Sequence, residues 1–332
     1  MTNTIGVRKT RTWLWMPVVL AAGVLAAGCN SGSGGGDDGN DAGSTGTASF
    51  AVTDAPADKV TEVWVTFDRI DVKPKSGPRE TIELEEAVTV DLLTLQGENA
   101  APLIEDVELP AGEYNYIRLF VQSGWPHSKV LHEGGGEMGL YIPGNQPPSQ
   151  NPNPRFLQLS SPFVIPADGH ADFVIDVELR KALVDRGDFY MLRPSLRLVD
   201  NSEVGSIFGT VDDPLILDEA CTSDPNTGAG NAVYVYQGFE AVPGDVYVDE
   251  DGQEQERTDG AEHPVTVANV KQKEDSMTFA YTVGFLPAGE YTIAFTCQAA
   301  DDDPEAQDGI LFPQQHDVVV MAGERTEQNF AD

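Results

Sequence analysis

The sequence predicts an all-β protein of two β-sandwich domains, which follow a signal peptide and a flexible tether. Three observations predict this fold class. Short runs of alternating apolar residues recur along the chain, and Gly, Pro, Asn and Asp bound them. Helical periodicity is sparse, and we expect only a turn or two at residues 91–96 and at residues 179–185. The hexapeptide LPAGEY occurs at residues 109–114 and again, unchanged, at residues 286–291.

The second alternating run contains an irregularity. Apolar residues occupy every second position in residues 63–67, and the phase then moves by one residue to Ile70 and Val72. Because side chains alternate between the faces of a strand, such a shift predicts a β-bulge near Asp68 and Arg69.

The repeated hexapeptide divides the chain. In each copy a Pro-x-Gly turn leads into an alternating strand, and the tyrosine can anchor the edge of a sandwich. We therefore expect two domains of related type, at residues 48–200 and residues 203–332, with the junction near Asp200.

Residues 1–28 have the features of a signal peptide. A positive segment at residues 8–11 precedes an apolar run at residues 13–24, and small residues follow. The segment ends in LAAGC at Cys29, which resembles a bacterial lipobox, although Ala26 stands where Leu is most common. The resemblance implies that the Cys29 sulfur is lipidated and that cleavage occurs directly before it. Ordinary signal cleavage, with Cys29 a free thiol, is the alternative.

Residues 29–47 predict a lipidated cysteine and a disordered tether rich in Gly, Ser and Asp. Asn30 follows the cysteine, and by resemblance to enterobacterial sorting this residue favours the outer membrane. We expect an exported lipoprotein of the outer membrane, held through its N-terminal lipid and facing either the periplasm or the medium.

The charge balance excludes one class of partner. The chain has 54 acidic and 20 basic residues, which give a formal net charge of −34. Such an acidic surface repels phosphate backbones, so nucleic acid is not expected as a partner.

Five stretches of the first predicted domain form a recognisable pattern: residues 49–58, 63–67, 90–96, 109–119 and 163–198. On these stretches the domain resembles the domain-of-unknown-function 4382 family of envelope proteins. The resemblance implies no activity, and no catalytic residue is carried over from it.

Three segments of the second predicted domain are GSIFGTV at residues 205–211, AVYVY at residues 232–236 and the strand after the second LPAGEY. They resemble the first, the second and a late strand of the carboxypeptidase-regulatory or transthyretin-like sandwich. The resemblance implies an immunoglobulin/transthyretin-like β-sandwich. Related folds are grouped with carbohydrate-binding modules, which raises a sugar as a ligand.

Two cysteines remain once Cys29 is assigned to lipid. Cys221 and Cys297 both fall in the second domain and, after export, in an oxidising compartment. We predict a disulfide between them, which contributes about 4 kcal/mol by loop-closure entropy. Two buried thiols are the alternative.

Catalytic and metal motifs are not found. The sequence contains no GxSxG, Walker loop, HExxH or CxxC. We therefore expect no catalytic residues, no metal ligands and no cofactor, with calcium as the ionic candidate that composition leaves open. Its candidate ligands are the DEDG at residues 249–252, for which an Asp-Gly turn is the alternative, and the DDD at residues 301–303.

Aromatic residues are the candidates for ligand contact. Trp64 lies opposite Val63 and Val65 on its strand, Tyr234 and Tyr236 share one strand face, and Trp125 lies in a predicted loop. Exposed aromatic rings can stack on sugars, but a neighbouring domain or loop can equally cover such a face. We expect a non-enzymatic envelope lipoprotein that presents binding or structural domains to an envelope protein or a glycan. A carbohydrate-binding accessory protein is the alternative, and an enzyme whose site is assembled from distant residues is a third hypothesis.

Overall fold

The computed structural model describes residues 3–5, 44–57, 59–147, 155–224, 228–273, 276 and 278–331. Cys29 and almost all of the predicted signal peptide and tether lie outside these residues. The described structure is almost entirely β, which confirms the predicted fold class. The strands of the first half are β1 (Asn3–Ile5), β2 (Thr45–Ala55), β3 (Val60–Pro74), β4 (Glu80–Asp91), β5 (Ala101–Pro110), β6 (Gly112–Val121), β7 (Lys129–His132), β8 (Glu137–Tyr141), β9 (Phe156–Leu159), β10 (Phe163–Ile165), β11 (His170–Glu178), β12 (Leu183–Asp185), β13 (Tyr190–Leu192) and β14 (Leu196–Asp200).

The second half continues the β architecture. Its strands and the two short helices of the described chain are β15 (Val204–Val211), β16 (Ala232–Gln237), β17 (Thr266–Asn269), β18 (Lys271–Gln272), β19 (Phe279–Pro287), β20 (Gly289–Thr296), β21 (Gln314–Val320), β22 (Arg325–Glu327), α1 (Leu179–Ala182) and α2 (Asp213–Ile216). Helix α1 and a 3₁₀ turn at Leu92–Thr94 lie where the sequence predicts helical turns. Residues 183–185 form β12 instead of extending α1.

Each half contains two sheets. In the first half, β14-β11-β2-β5 form one sheet, and the other runs β1-β4-β3-β7-β8-β13-β12. In this second sheet β6 also pairs with β3, and β9 and β10 pair with β6. In the second half the orders are β18-β19-β15-β22 and β17-β16-β20-β21. Strands β1–β14 therefore pair among themselves, as do β15–β22. The predicted limits of the two domains stay a prediction.

The long strand β3 bends at a β-bulge. Its register to both β4 and β6 shifts between Phe67 and Arg69, which confirms the bulge predicted near Asp68. The N-terminal part of β3 pairs with β7 and its C-terminal part with β6. The bulge therefore lets β3 pair with two strands, β7 and β6, along the same edge.

Separate cores fill the two halves. The core of the first half includes the packed rings of Phe50, Phe163 and Phe173, and the core of the second includes Phe295 and Phe330. A small third cluster joins the halves, because Val174 and Val199 pack with Val204 at the beginning of β15. The outer face of the β11–β14 pair thus faces the second half.

The two LPAGEY copies fold alike at their tyrosines. The Tyr114 hydroxyl donates a hydrogen bond to the Pro110 carbonyl at 2.7 Å, and the Tyr291 hydroxyl donates to Pro287 at 2.8 Å. Both tyrosines are buried, so the repeated sequence gives the same anchoring bond in each half.

Strand β2 begins within the segment that the sequence predicts as tether. Residues 45–47, placed in the tether by their composition, begin β2. The Thr47 backbone N–H donates to Gly169 at 2.9 Å, and Gly46 is buried against Pro166. Pairing with β5 and β11 therefore overrides the low local preference for a strand.

Among the described residues, no helix is both long and apolar enough to cross a membrane.

Candidate functional site

Strands β3, β7 and β8 place one of the candidate aromatic residues on an outer sheet face. Trp64 is opposite Lys129 on β7, which in turn is opposite Gly139 on β8. Because residues opposite one another in antiparallel strands share a face, Trp64 and Lys129 point to the same side. Trp64 is half-buried, and its indole N–H donates to Glu62 at 2.6 Å.

Trp125 lies over the same sheet face. Its backbone nitrogen is 3.2 Å from the position that a Cβ on Gly139 would occupy, so the glycine lets the loop cross the strand closely. The Trp125 ring is 64% exposed, and its indole N–H donates to Glu137 at 3.2 Å. Lys129 donates to the other oxygen of the same carboxylate. These two hydrogen bonds hold the pKa of Glu137 below its usual range, so Glu137 stays ionised.

Tyr141 supports this arrangement from below. Its ring packs against Gly124 and Gly139, where any side chain would collide with it, and it meets Phe189 edge-on at 5.6 Å. We call the surface formed by Trp64, Trp125, Lys129, Glu137 and Tyr141 the aromatic face.

The other two candidate aromatic residues are buried. Tyr234 and Tyr236 have no exposed surface, and the Tyr236 hydroxyl donates to the Gly244 carbonyl at 2.7 Å. Residues 241–248 and Phe312 cover both rings. Contact of these two tyrosines with a surface ligand, as the sequence suggests, is therefore incompatible with the described structure, and the alternative of a covering loop applies.

A carboxylate cluster lies beneath this cover. Oxygens of Asp245, Asp302 and Asp308 lie within 4.8 Å of one another, and Asp302 accepts a hydrogen bond from Tyr234. Burial raises the pKa of Asp302 to about 6. One Asp245 oxygen already accepts from Arg257 and the other from the Asp308 backbone N–H, so protein donors occupy this carboxylate.

The DEDG segment forms a turn. The Asp249 carboxylate accepts hydrogen bonds from the backbone N–H groups of Asp251 and Gln253, and the Gly252 N–H donates to the Asp249 carbonyl. This is the turn that the sequence left as the alternative to a calcium loop.

The sequence analysis missed the junction between the halves. Residues 180–197 contain five of the 20 basic residues, and the side chains of all five reach the second half. Arg180 donates to the Ala299 carbonyl at 2.9 Å, and Lys181 donates to Pro264 at 2.8 Å. A concentration of positive charge in so acidic a chain was the available signal.

Arg193 is the most deeply buried of these side chains. It is 1% exposed and donates to the Asp249 carbonyl and to Glu305, each at 2.9 Å, and to Lys181 at 2.8 Å. Desolvation lowers the pKa of its guanidinium, but the acidic neighbours Glu305 and Asp249 oppose that effect.

Arg197 contacts two buried carboxylates at the junction, those of Asp176 and Glu178. It donates to Asp176 at 2.5 Å and to the Phe285 carbonyl of the second half at 3.2 Å, and its Nε is 3.7 Å from Glu178. Burial, and then repulsion by Asp176, raises the pKa of Glu178 to about 8. Burial also raises the pKa of Asp54, and the nearby carboxylates of Asp176 and Glu178 add to that effect.

The predicted disulfide is confirmed. Cys221 and Cys297 are bonded, with 5.0 Å between their Cα atoms. The bond ties the loop after α2 to the end of β20, next to the core of the second half. The lipidation site Cys29 lies outside the described residues.

The comparison with protein families matches the first half of the chain. Residues 45–194 match the model of a family described as Domain of unknown function (DUF4382). The match supports the resemblance drawn for the first domain and gives it no activity. No curated protein matches the chain.

Solved structures similar to the chain have low TM-scores. A leucine-rich repeat protein from Bacteroides thetaiotaomicron is 12% identical with a TM-score of 0.20; the match covers 87% of this chain and 26% of that one. The Bacillus anthracis TIE protein is 12% identical with a TM-score of 0.18; the match covers 86% of this chain and 34% of that one. A minor pilin from Streptococcus agalactiae is 10% identical with a TM-score of 0.18; the match covers 85% of this chain and 94% of that one. The chain thus spans about a quarter and a third of the first two proteins. We infer nothing about function from likenesses of this kind.

Proposed function

We propose that the protein is a non-enzymatic binding module of the bacterial cell envelope and that its ligand-contacting surface is the aromatic face. The observation that carries this proposal is Trp125, whose exposed ring is held by Glu137 on the face that also carries Trp64. A ring already fixed in orientation loses little conformational entropy on binding, and aromatic anchors dominate the energetics of many interfaces.

We also propose that the chain is exported and held at the outer membrane by a lipid on Cys29. The lipobox-like residues before Cys29 support this, and the Cys221–Cys297 disulfide is typical of proteins outside the reducing cytoplasm.

Metabolic labelling with a palmitate analogue tests the anchor. We expect the wild type to be labelled and Cys29→Ser to lose the label, after which protease shaving of intact cells shows which side of the membrane the β-sandwiches face. Absence of label from the wild type would mean a freely secreted or periplasmic protein, without an anchor.

A glycan is the second candidate for the ligand, and the composition of the aromatic face favours it. Indole rings stack on the apolar faces of sugars, while the Glu137 carboxylate and the Lys129 ammonium can bond hydroxyls at the ring edge. The face therefore combines the two kinds of contact that a sugar needs.

A glycan array tests this candidate with matched variants. We expect Trp125→Ala to weaken glycan binding at least tenfold, or about 1.4 kcal/mol, and Trp64→Ala to weaken it less because its ring is half-buried. Phe239→Ala, which removes an exposed ring of the second half, should leave binding unchanged. Silence of the wild type across the array rejects the glycan.

Crosslinking in intact cells tests the wider proposal that the aromatic face is the ligand-contacting surface. A photo-crosslinking residue in place of Trp125 should capture one defined envelope partner, whereas the same residue in place of Phe239 should not. Equal capture at both positions, or none at Trp125, means that the aromatic face is not the binding surface.

A further inference from the structure

Each tryptophan of the aromatic face is joined to a carboxylate. The Trp64 indole N–H donates to Glu62 at 2.6 Å, and the Trp125 indole N–H donates to Glu137 at 3.2 Å. Glu62 lies two residues before Trp64 on β3, so strand alternation places both side chains on the same side of the sheet. Each indole ring is therefore bordered by a carboxylate at its N–H edge.

The two carboxylates outnumber the cations of this face. Lys129 forms an ion pair with Glu137, and its charge neutralises that carboxylate. Glu62 accepts a hydrogen bond from Trp64 but forms no ion pair with any residue that the structure describes. The aromatic face together with Glu62 thus has a net negative charge, in a chain whose formal net charge is −34. Because like charges repel across an interface, this surface favours a cationic ligand over an anionic one.

The two tryptophans are separated by two strand spacings. Trp64 is opposite Lys129 on β7, Lys129 is opposite Gly139 on β8, and the Trp125 backbone lies over Gly139. Adjacent strands are about 5 Å apart, so the strand positions below the two tryptophans are about 10 Å apart. This separation suits a chain of linked pyranose rings better than a single small cation.

A cation that is fixed on a ring matches both features of this face. An ammonium group beside an indole is attracted by the π-electrons of the ring and by the neighbouring carboxylate. A lysine of a peptide supplies the same charge, but its flexible four-carbon stem loses conformational entropy when it is ordered. The amino group of an amino sugar is attached directly to the ring that stacks, so it is ordered when the ring binds.

We propose that the glycan bound by the aromatic face is an oligosaccharide of amino sugars with free, protonated amino groups. One pyranose ring stacks on the exposed ring of Trp125, and an ammonium group of the oligosaccharide pairs with Glu62. This inference rests on the proposed function, because it names the chemical class of the ligand for the same surface.

Isothermal titration calorimetry of the exported protein at pH 5.5 and 0.15 M salt tests the charge of the ligand. The probes are the β-1,4-linked trimer of glucosamine and the same trimer with every amino group acetylated, which removes the charge and keeps the sugar chain. We expect the glucosamine trimer to bind about tenfold more tightly, because the acetylated trimer cannot pair with Glu62. Trilysine, which has a similar charge without sugar rings, should bind about tenfold more weakly than the glucosamine trimer.

Matched variants locate the charge. Glu62→Gln keeps an acceptor for the Trp64 indole and removes the negative charge. It should weaken binding of the glucosamine trimer about threefold to tenfold and leave binding of the acetylated trimer unchanged. Trp125→Ala should weaken binding of both trimers, whereas Glu108→Gln, at an exposed glutamate of β5, should bind like the wild type. Circular dichroism and the urea unfolding midpoint establish that each variant is folded.

The outcomes separate this inference from the proposed function. Equal binding of both trimers, lost in Trp125→Ala, overturns the requirement for an amino group and leaves the glycan candidate intact. Equally tight binding of trilysine, or equal weakening by Glu62→Gln and Glu108→Gln, means that charge alone attracts these ligands, and the inference is again overturned. Silence of the glucosamine trimer overturns it too. Silence of the wild type across the glycan array as well rejects the glycan, and crosslinking at Trp125 then decides the proposed function.

Discussion

The same strand pattern has opposite outcomes in the two halves. In β3 an aromatic residue alternates with valines at Val63, Trp64 and Val65, and in β16 Tyr234 and Tyr236 alternate with valines in the same way. In both strands the valines face the core between the sheets. Yet Trp64 lies on the aromatic face, whereas the two tyrosines have no exposed surface.

The difference lies in what covers each face. Over β16 the chain adds residues 241–248 and 299–312, which build a small core of their own on the outer side of the sheet. Arg180 and Arg193 of the first half bond to carbonyls at Ala299 and Asp249, so the first half helps to hold this cover in place. Over β3 and β7 the Trp125 loop leaves its own ring exposed. The segment that covers a sheet face therefore decides whether an aromatic residue on that face is buried in a core or exposed as a binding surface.

Removing the buried guanidinium at the junction should have the largest effect on this cover. We expect Arg193→Met to lower the free energy of unfolding by about 3 kcal/mol, because the Asp249 and Lys181 carbonyls lose their charged donor. Urea unfolding measures the change.

Arg186 provides the matched control for that variant. Its exposed side chain reaches the same Glu305 at 3.8 Å, and Arg186→Met should cost about 0.5 kcal/mol or less. Equal losses from the two variants would show that the buried hydrogen bonds of Arg193 do not hold the cover.

The junction also predicts how stability depends on pH. The pKa of Glu178 is about 8 in the folded protein and near 4.5 when unfolded, so between these values the folded state binds the extra proton. Its contribution is fully present below pH 4.5 and is lost as the pH rises through 8. Glu178→Gln carries no proton to lose, so as the pH rises through this window the free energy of unfolding of the wild type should fall relative to that of the variant.

Urea unfolding at pH 5, 7 and 9 checks this prediction. Asp176, Lys181 and Arg197 are the charged groups that contact or influence Glu178 and are unchanged in the variant. Glu108→Gln, an exposed position on β5, is the control and should follow the wild type. Parallel pH profiles for wild type and Glu178→Gln would contradict a raised pKa at this carboxyl.

Local sequence signals predicted local features well. The phase shift in β3 predicts the bulge near Asp68, because alternation is a property of one strand. The repeat predicts a tyrosine anchor in each half, and Tyr114 and Tyr291 each donate to a carbonyl only four residues earlier in the chain. The Cys221–Cys297 bond was predicted by counting the cysteines of a chain that we expected to be exported.

Features that join distant segments were beyond the sequence. Arg193 meets Glu305 across 112 positions, and no periodicity links the two. The burial of Tyr234 depends in the same way on Phe312, far along the chain. Composition could have pointed to residues 180–197 as a site of unusual charge, but their acceptors are mainly backbone carbonyls, which leave no mark in a sequence.

The smallest predicted effect tests the comparison of the two faces most directly. Tyr236→Phe removes only a hydroxyl, but it leaves the buried Gly244 carbonyl without its donor and should cost about 1 kcal/mol. Trp125→Phe removes more atoms from an exposed ring and breaks a hydrogen bond to an exposed carboxylate, so the unfolding free energy should change by about 0.5 kcal/mol or less. Urea unfolding of the two variants side by side measures both losses of unfolding free energy, and we expect the larger loss for Tyr236→Phe. A larger loss for Trp125→Phe would mean that the Trp125 ring is part of the fold of the first half, and the aromatic face would then be a structural surface like the one around Tyr236.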